Sequence, residues 1–164
     1  MTSATPPLTN NPIATFSFSS NEAGSTFQCS VDGGTFAPCT SPFVSNSLVD
    51  GKHNFQVKAV DAVGNLDKSV AKAKAWTVDT TPPNTTITKM PTNPTTSTSA
   101  AFKFTSTEKK STFVCNLDDA GFSPCTSAPT FGPLSKGLHH IEVRATDAAG
   151  NVDPSPAIFE WMIQ

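Results

Sequence analysis

Apolar and polar residues alternate along most of the chain. Phe16/Phe18, Phe27/Cys29/Val31, Phe55/Val57/Ala59 and Trp76/Val78 are spaced by two residues, and so are Phe102/Phe104, Phe113/Cys115/Leu117, Ile141/Val143/Ala145 and Trp161/Ile163. A period of two buries one face of a strand and wets the other. The pattern predicts antiparallel sheets stacked face to face. Turn-forming groups fall between the runs: Asp32-Gly33-Gly34, Asp50-Gly51 and Val63-Gly64-Asn65 in the first half. No segment carries a helical period. About seven short strands in roughly 80 residues fit an immunoglobulin-like or fibronectin-III-like sandwich.

The same pattern occurs twice. Residues 16–41 read FSFSSNEAGSTFQCSVDGGTFAPCTS and residues 102–127 read FKFTSTEKKSTFVCNLDDAGFSPCTS, a constant offset of 86. The second halves keep step: Gly51, His53, Val57, Ala59, Asp61, Gly64, Asn65 and Asp67 recur as Gly137, His139, Val143, Ala145, Asp147, Gly150, Asn151 and Asp153. Trp76 recurs as Trp161 after a slip of one. The chain therefore divides into one repeat over 1–79 and another over 80–164, joined at Trp76-Thr-Val-Asp-Thr-Thr-Pro-Pro83, where Pro82-Pro83 stiffens the passage. It opens near Thr5-Pro6-Pro7 without a basic, apolar leader, and reads as two repeats of a longer array. Ten more residues separate Pro-Pro from the first Phe pair in the second copy than in the first. The surplus, Thr85 to Met90, predicts a first strand. The first copy has only Leu8 to Ala14 to serve, so its first strand is expected to be short or missing.

Small sandwiches bury limited apolar surface and gain from a covalent staple. Cys29 and Cys39 straddle the Asp-Gly-Gly turn with Gly34 at the midpoint, and Cys115 and Cys125 do the same around Ala120. A hairpin places each pair opposite one another, within bridging reach. Because each copy must fold alone, pairing within copies is expected, at ~2–3 kcal/mol per closed loop. Disulfides imply an oxidising compartment, hence an extracellular or cell-surface location. The cysteine spacing does not suit zinc.

Composition narrows the function further. Fourteen Pro and nine Gly oppose long helices, and a net charge of −2 without a basic block argues against nucleic acid and anionic membrane. The apolar runs are far too short to cross a bilayer as helices.

The ordered series Phe-x-Cys-x-x-Asp-x-x-x-Phe-x-Pro-Cys, then Asp-Gly-x-His-x-Phe-x-Val-x-Ala-x-Asp-Ala-x-Gly-Asn-x-Asp, then Trp-Thr-Val-Asp-Thr-Thr-Pro-Pro resembles the Ig-like repeats of large bacterial secreted and cell-surface proteins. The resemblance spans both copies. It implies a sandwich used in stalks, adhesins and non-catalytic arms, and carries over no catalytic residue and no ligand. The second copy departs at Leu138, for Lys52, and at Lys136, for Asp50.

Three groups of residues are candidates for chemistry. Asp61, Asn65 and Asp67, with Asp147, Asn151 and Asp153, offer two carboxylates and an amide oxygen within seven residues, donors of the type Ca²⁺ takes. Asp79 near the joint is a further carboxylate. The competing reading is a hairpin turn whose Asp side chains cap the backbone. His53 and His139 lack a partner at ligand spacing and read as turn-packing histidines. Trp76 and Trp161 read as core plugs in preference to sugar platforms. Lys58 becomes Arg144 in the second copy, so a shared isopeptide crosslink is not expected. Nothing resembles a nucleophile beside a base or a phosphate-binding loop, and the chain is expected to be no enzyme and to need no cofactor beyond such calcium. The leading expectation is an extracellular spacer or stalk. Two rivals accompany it: a filament subunit assembled by β-strand complementation, and a module binding a glycan or surface protein. The expected partners are neighbouring repeats or copies of the chain.

Overall fold

The computed structural model describes residues 2–3, 5–68 and 74–164. The chain forms two compact units, Met1–Thr81 and Pro82–Gln164. The Asp50 carboxylate holds Thr80 and Thr81 to the first unit. Asp50 Oδ1 accepts from Thr80 N and Thr80 Oγ1 at 2.8 and 2.7 Å, and Oδ2 accepts from Thr81 Oγ1 at 2.9 Å. The second copy has Lys136 at the Asp50 position.

The first unit contains β1 (Thr2–Ser3), β2 (Leu8–Thr9), β3 (Thr15–Ser17), β4 (Thr26–Val31), β5 (Ala37–Cys39), β6 (Phe43–Val44), β7 (Gly51–Val60) and β8 (Lys74–Val78). They make a five-stranded sheet in the order β2-β8-β7-β4-β5 facing a three-stranded sheet β1-β3-β6. The second contains β9 (Thr85–Lys89), β10 (Ala100–Ala101), β11 (Lys103–Ser106), β12 (Thr112–Leu117), β13 (Ser123–Cys125), β14 (Thr130–Phe131), β15 (Gly137–Thr146) and β16 (Ala157–Ile163). Its large sheet runs β13-β12-β15-β16, and β9 with β11 and β10 with β14 make the opposing layer. Pairing is antiparallel except where Leu8–Thr9 runs parallel to Thr77–Val78, matched in the second unit by a parallel bridge from Thr95 to Ile163. These are two tandem immunoglobulin-like or fibronectin-III-like sandwiches, each with one hairpin disulfide.

The alternating residues supply the cores. In the first unit Phe16 stacks on Phe55 with ring centroids 4.2 Å apart, and Trp76 tilts against Phe16 at 5.1 Å. In the second, Ile141 stands where the first has Phe55, and Phe102 packs edge-on against Phe131, Phe159 and Trp161 instead. Trp76 and Trp161 are both buried within these clusters.

Two expectations are corrected. The hairpin register is offset: Cys29 lies opposite Ala37 and Cys39 opposite Phe27, with the same pattern in the second unit. The bridges Cys29–Cys39 and Cys115–Cys125 are thus diagonal, with Cα atoms 5.8 Å apart in each. The cause is the turn, whose central residues Asp32 and Gly33 both have positive φ (52° and 70°), as do Asp118 and Asp119 (50° and 60°). Two central residues of that hand form the tight hairpin turn that suits strand twist, and it centres one step earlier than Gly34.

The second correction concerns the first strand. Leu8–Thr9 matches the Thr95 bridge of the second unit, and not its first strand. The match to β9 is β1, which among the described residues pairs with Ser17 and Phe16, whereas β9 pairs with β11 from Lys103 through Ser106.

Candidate functional site

The Asp32 turn and the start of β7 build a charged clamp. His53 Nδ1 lies 2.7 Å from Asp32 Oδ2, and its Nε2 lies 2.8 Å from the Val49 carbonyl. Both partners are acceptors, so the ring satisfies both at once only when both its nitrogens carry hydrogen, and the pair favours the protonated imidazole. Asp32 Oδ1 accepts the Asn54 amide at 2.8 Å, fixing the turn to the strand. The second unit repeats every contact: His139 Nδ1 to Asp118 Oδ2 at 2.7 Å, Nε2 to the Ser135 carbonyl at 2.9 Å, and the His140 amide to Asp118 Oδ1 at 3.0 Å. Each ring also lies against the core tryptophan, with centroids 5.6 Å apart for His53–Trp76 and 5.5 Å for His139–Trp161.

The environment sets the titration of these groups. Burial pulls the His53 pKa down, but the bonds to Asp32 and Val49 outweigh it and the net shift is upward. For His139 the Ser135 carbonyl and then Asp118 raise the pKa against burial. Burial pushes Asp118 up, but hydrogen bonds from His139 and the His140 amide leave it below the usual carboxylate range.

The Asp-Ala-x-Gly-Asn turns close through their own side chains. Asp61 Oδ1 accepts from the Val63 and Asn65 amides at 3.0 and 2.8 Å, and Oδ2 accepts from Asn65 Nδ2 at 2.8 Å. Asp147 Oδ1 accepts from Gly150 and Asn151 at 2.7 and 2.8 Å, and Oδ2 from Asn151 Nδ2 at 2.8 Å. These bonds hold Asp61 below its ordinary value, chiefly through Asn65. At Asp147 burial opposes the same bonds and loses.

Asp153 looks elsewhere. Its Oδ2 accepts the Thr85 amide and its Oδ1 accepts from the Ser155 amide at 2.8 Å and the Ser155 hydroxyl at 3.1 Å. Burial raises its pKa, and these bonds lower it by more. Asp147 and Asp153 therefore hold different segments of backbone. Asp67, its counterpart in the first unit, is exposed.

Lys58 and Arg144 share a role that the sequence did not reveal. Each cation sits over a ring on the neighbouring strand-end, Lys58 Nζ 4.5 Å from the Phe36 centroid and the Arg144 guanidinium carbon 4.3 Å from that of Phe122. Cation–π pairing tolerates Lys or Arg alike, which accounts for the exchange between copies.

No protein-family model matches the sequence, and no curated protein does either. Solved structures match in fold. The chain resembles the fibronectin(III)-like modules of Clostridium thermocellum CbhA at 15% identity, with TM-score 0.58 over 99% of this chain and 93% of that one. It also resembles the FN1–FN3 domains of chicken CNTN1 at 14% identity, with TM-score 0.51 over 96% of this chain and 62% of that one. At such identity the likeness establishes a fibronectin-III-like sandwich fold.

Proposed function

We propose that this chain is a non-catalytic extracellular spacer, two Ig-like repeats of the kind strung together in large bacterial surface and secreted proteins. One observation carries the reading: the polar residues that recur between copies hold backbone in place. Asp32 and His53, with Asp118 and His139, tie a turn to a strand. Asp61 and Asn65, with Asp147 and Asn151, close a second turn through their own side chains. The cysteines are joined in bridges. Residues selected to fix backbone geometry serve a module whose task is to keep its shape. The disulfides support an oxidising destination, and the fibronectin(III)-like modules among the structural neighbours are in keeping with a non-catalytic part.

Sedimentation velocity over a concentration series, combined with glycan and protein arrays, tests the proposal. A spacer stays monomeric and captures nothing. Mass that grows with concentration replaces it with an assembling subunit. Capture abolished by one exposed-loop substitution in a folded chain replaces it with a binding module.

A further inference from the structure

β16 is the last strand of its sheet, with β15 on one side and no further strand on the other among the described residues. In an antiparallel pair, alternate residues turn both backbone groups away from the neighbouring strand. On β16 these are Ile158, Glu160 and Met162, since Met162 N, Met162 O and Glu160 O are all bonded on the outer side. The solvent face there is apolar. Ile158 is 59% and Met162 39% exposed, and Leu138, opposite Met162, is 65% exposed. Glu160 is the one charged residue of the strand. An apolar strand at a sheet edge is a template for a strand of a second chain.

Both units cover this edge, by different means. In the first, β2 lies along β8, where Thr77 N donates to the Pro7 carbonyl and Asp79 N to the Thr9 carbonyl, each at 2.9 Å. That edge is also more polar, with Thr77 in the place of Met162 and Lys52 in that of Leu138. In the second unit Thr95 keeps the place of Thr9, donating to the Met162 carbonyl and accepting from Gln164 N, each at 2.9 Å. Asn93 stands 86 residues after Pro7 and uses its side chain instead. Its Oδ1 accepts from Met162 N at 3.1 Å, and its Nδ2 donates to the Glu160 carbonyl at 3.2 Å. An amide hydrogen and a carbonyl oxygen can be met by a carboxamide in only one sense, so the two partners fix its orientation. The side chain thus stands in for the peptide group that a neighbouring strand would supply. Pro94, beside it, has no N–H to offer an outside strand.

We propose that Asn93 is an edge guard, a side chain that closes the β16 edge and keeps the second unit from pairing there with β16 of another copy. Laid antiparallel about Glu160, a second β16 would set Ile158 against Met162 and Glu160 against Glu160. The apolar contacts favour that pairing and the like charges oppose it. Asn93 occupies the backbone groups that it needs. The guard rests on the spacer reading, since a chain that stays monomeric has to keep this edge closed.

Sedimentation velocity and amide hydrogen exchange test the guard on the intact chain, unaltered and carrying Asn93→Ala. Asn93 is exposed, so the variant should fold, and its thermal midpoint checks this. Asn93→Leu, which keeps the bulk and loses both bonds, takes its place if the alanine lowers the midpoint. In dilute solution the Met162 amide should exchange about tenfold faster in the variant, as for one hydrogen bond lost, with the Thr77 amide unchanged. Towards millimolar concentration the variant should gain mass and its Met162 amide should slow again, while the unaltered chain stays monomeric. Adding Ile158→Lys, a charge of the kind that edge strands carry against pairing, should return the variant to monomer. A variant that stays monomeric at every concentration overturns the guard and leaves the spacer reading standing. Association that Ile158→Lys leaves undiminished, or that leaves the Met162 amide unprotected, also overturns the guard. Mass gained by the unaltered chain overturns both.

Discussion

The Thr85 amide donates to Asp153 Oδ2 across 68 residues of sequence, at 2.6 Å, and both residues are buried. This bond, together with that from the Ala145 amide to Thr85 Oγ1, ties the first strand of the second unit to its longest hairpin. Removing the carboxylate loses a charge-assisted hydrogen bond and strands a buried amide. Asp153→Ala should therefore destabilise the second unit by about 3 kcal/mol, while Asp67→Ala, at an exposed position, should cost the first unit less. Hydrogen exchange read separately on peptides of each unit distinguishes them. Equal losses at the two positions would contradict the asymmetry.

The histidine clamps make stability depend on pH. A histidine raised above its unfolded value of about 6.5 contributes fully below that value, and the contribution is lost as pH rises through the folded value. His53 and His139 are both raised. Asp118, Asp147 and Asp153 are lowered, so they stabilise above the usual carboxylate pKa of about 4 and cease to do so as pH falls through their lowered values. Thermal midpoints should peak between about pH 4 and 6.5 and decline towards 8.5. The double variant His53→Gln/His139→Gln should be less stable but flat over the upper range. An unchanged slope in that variant would remove the clamps from the account.

The core tryptophans should tolerate loss of the indole N–H better than loss of the ring. Neither Nε1 has a hydrogen-bond partner among the described residues, though both are buried. Trp76→Phe or Trp161→Phe keeps an aromatic plug and should be tolerated far better than alanine, which should cost about 3–5 kcal/mol. Urea unfolding of each variant measures the difference. A phenylalanine variant as damaged as the alanine one would show that the indole does more than fill space.

Much of this architecture was legible beforehand because it rests on local pattern. The alternation of Phe27, Cys29 and Val31 shows a strand, and the recurrence at 86 residues shows two units and pairs each cysteine with its neighbour. What escaped depends on tertiary placement. Asp-Gly-Gly has two possible centres, and the positive φ at Asp32 chooses the earlier. The clamp joins Asp32 to His53 across 21 residues. Its signal was present, since both members recur together as Asp118 and His139, but their adjacency needs the hairpin register. Leu8 to Ala14 stood as the stretch available for a first strand because only its distance from Phe16 was visible, whereas Leu8–Thr9 pairs with β8. The role of Lys58 was hidden until Phe36 was found beneath it.

The central claim is that the chain is two disulfide-pinned modules that keep their shape, and pulling single molecules end to end tests it most directly. The account predicts two discrete unfolding events per molecule. Each bridge spans a sequence separation of 10, so reduction should lengthen each event by about 30 Å, at ~3.6 Å per residue less the Cα separation already spanned. Reduced modules should also be ~2–3 kcal/mol less stable. One merged event, or equal lengths for oxidised and reduced chains, would contradict the account.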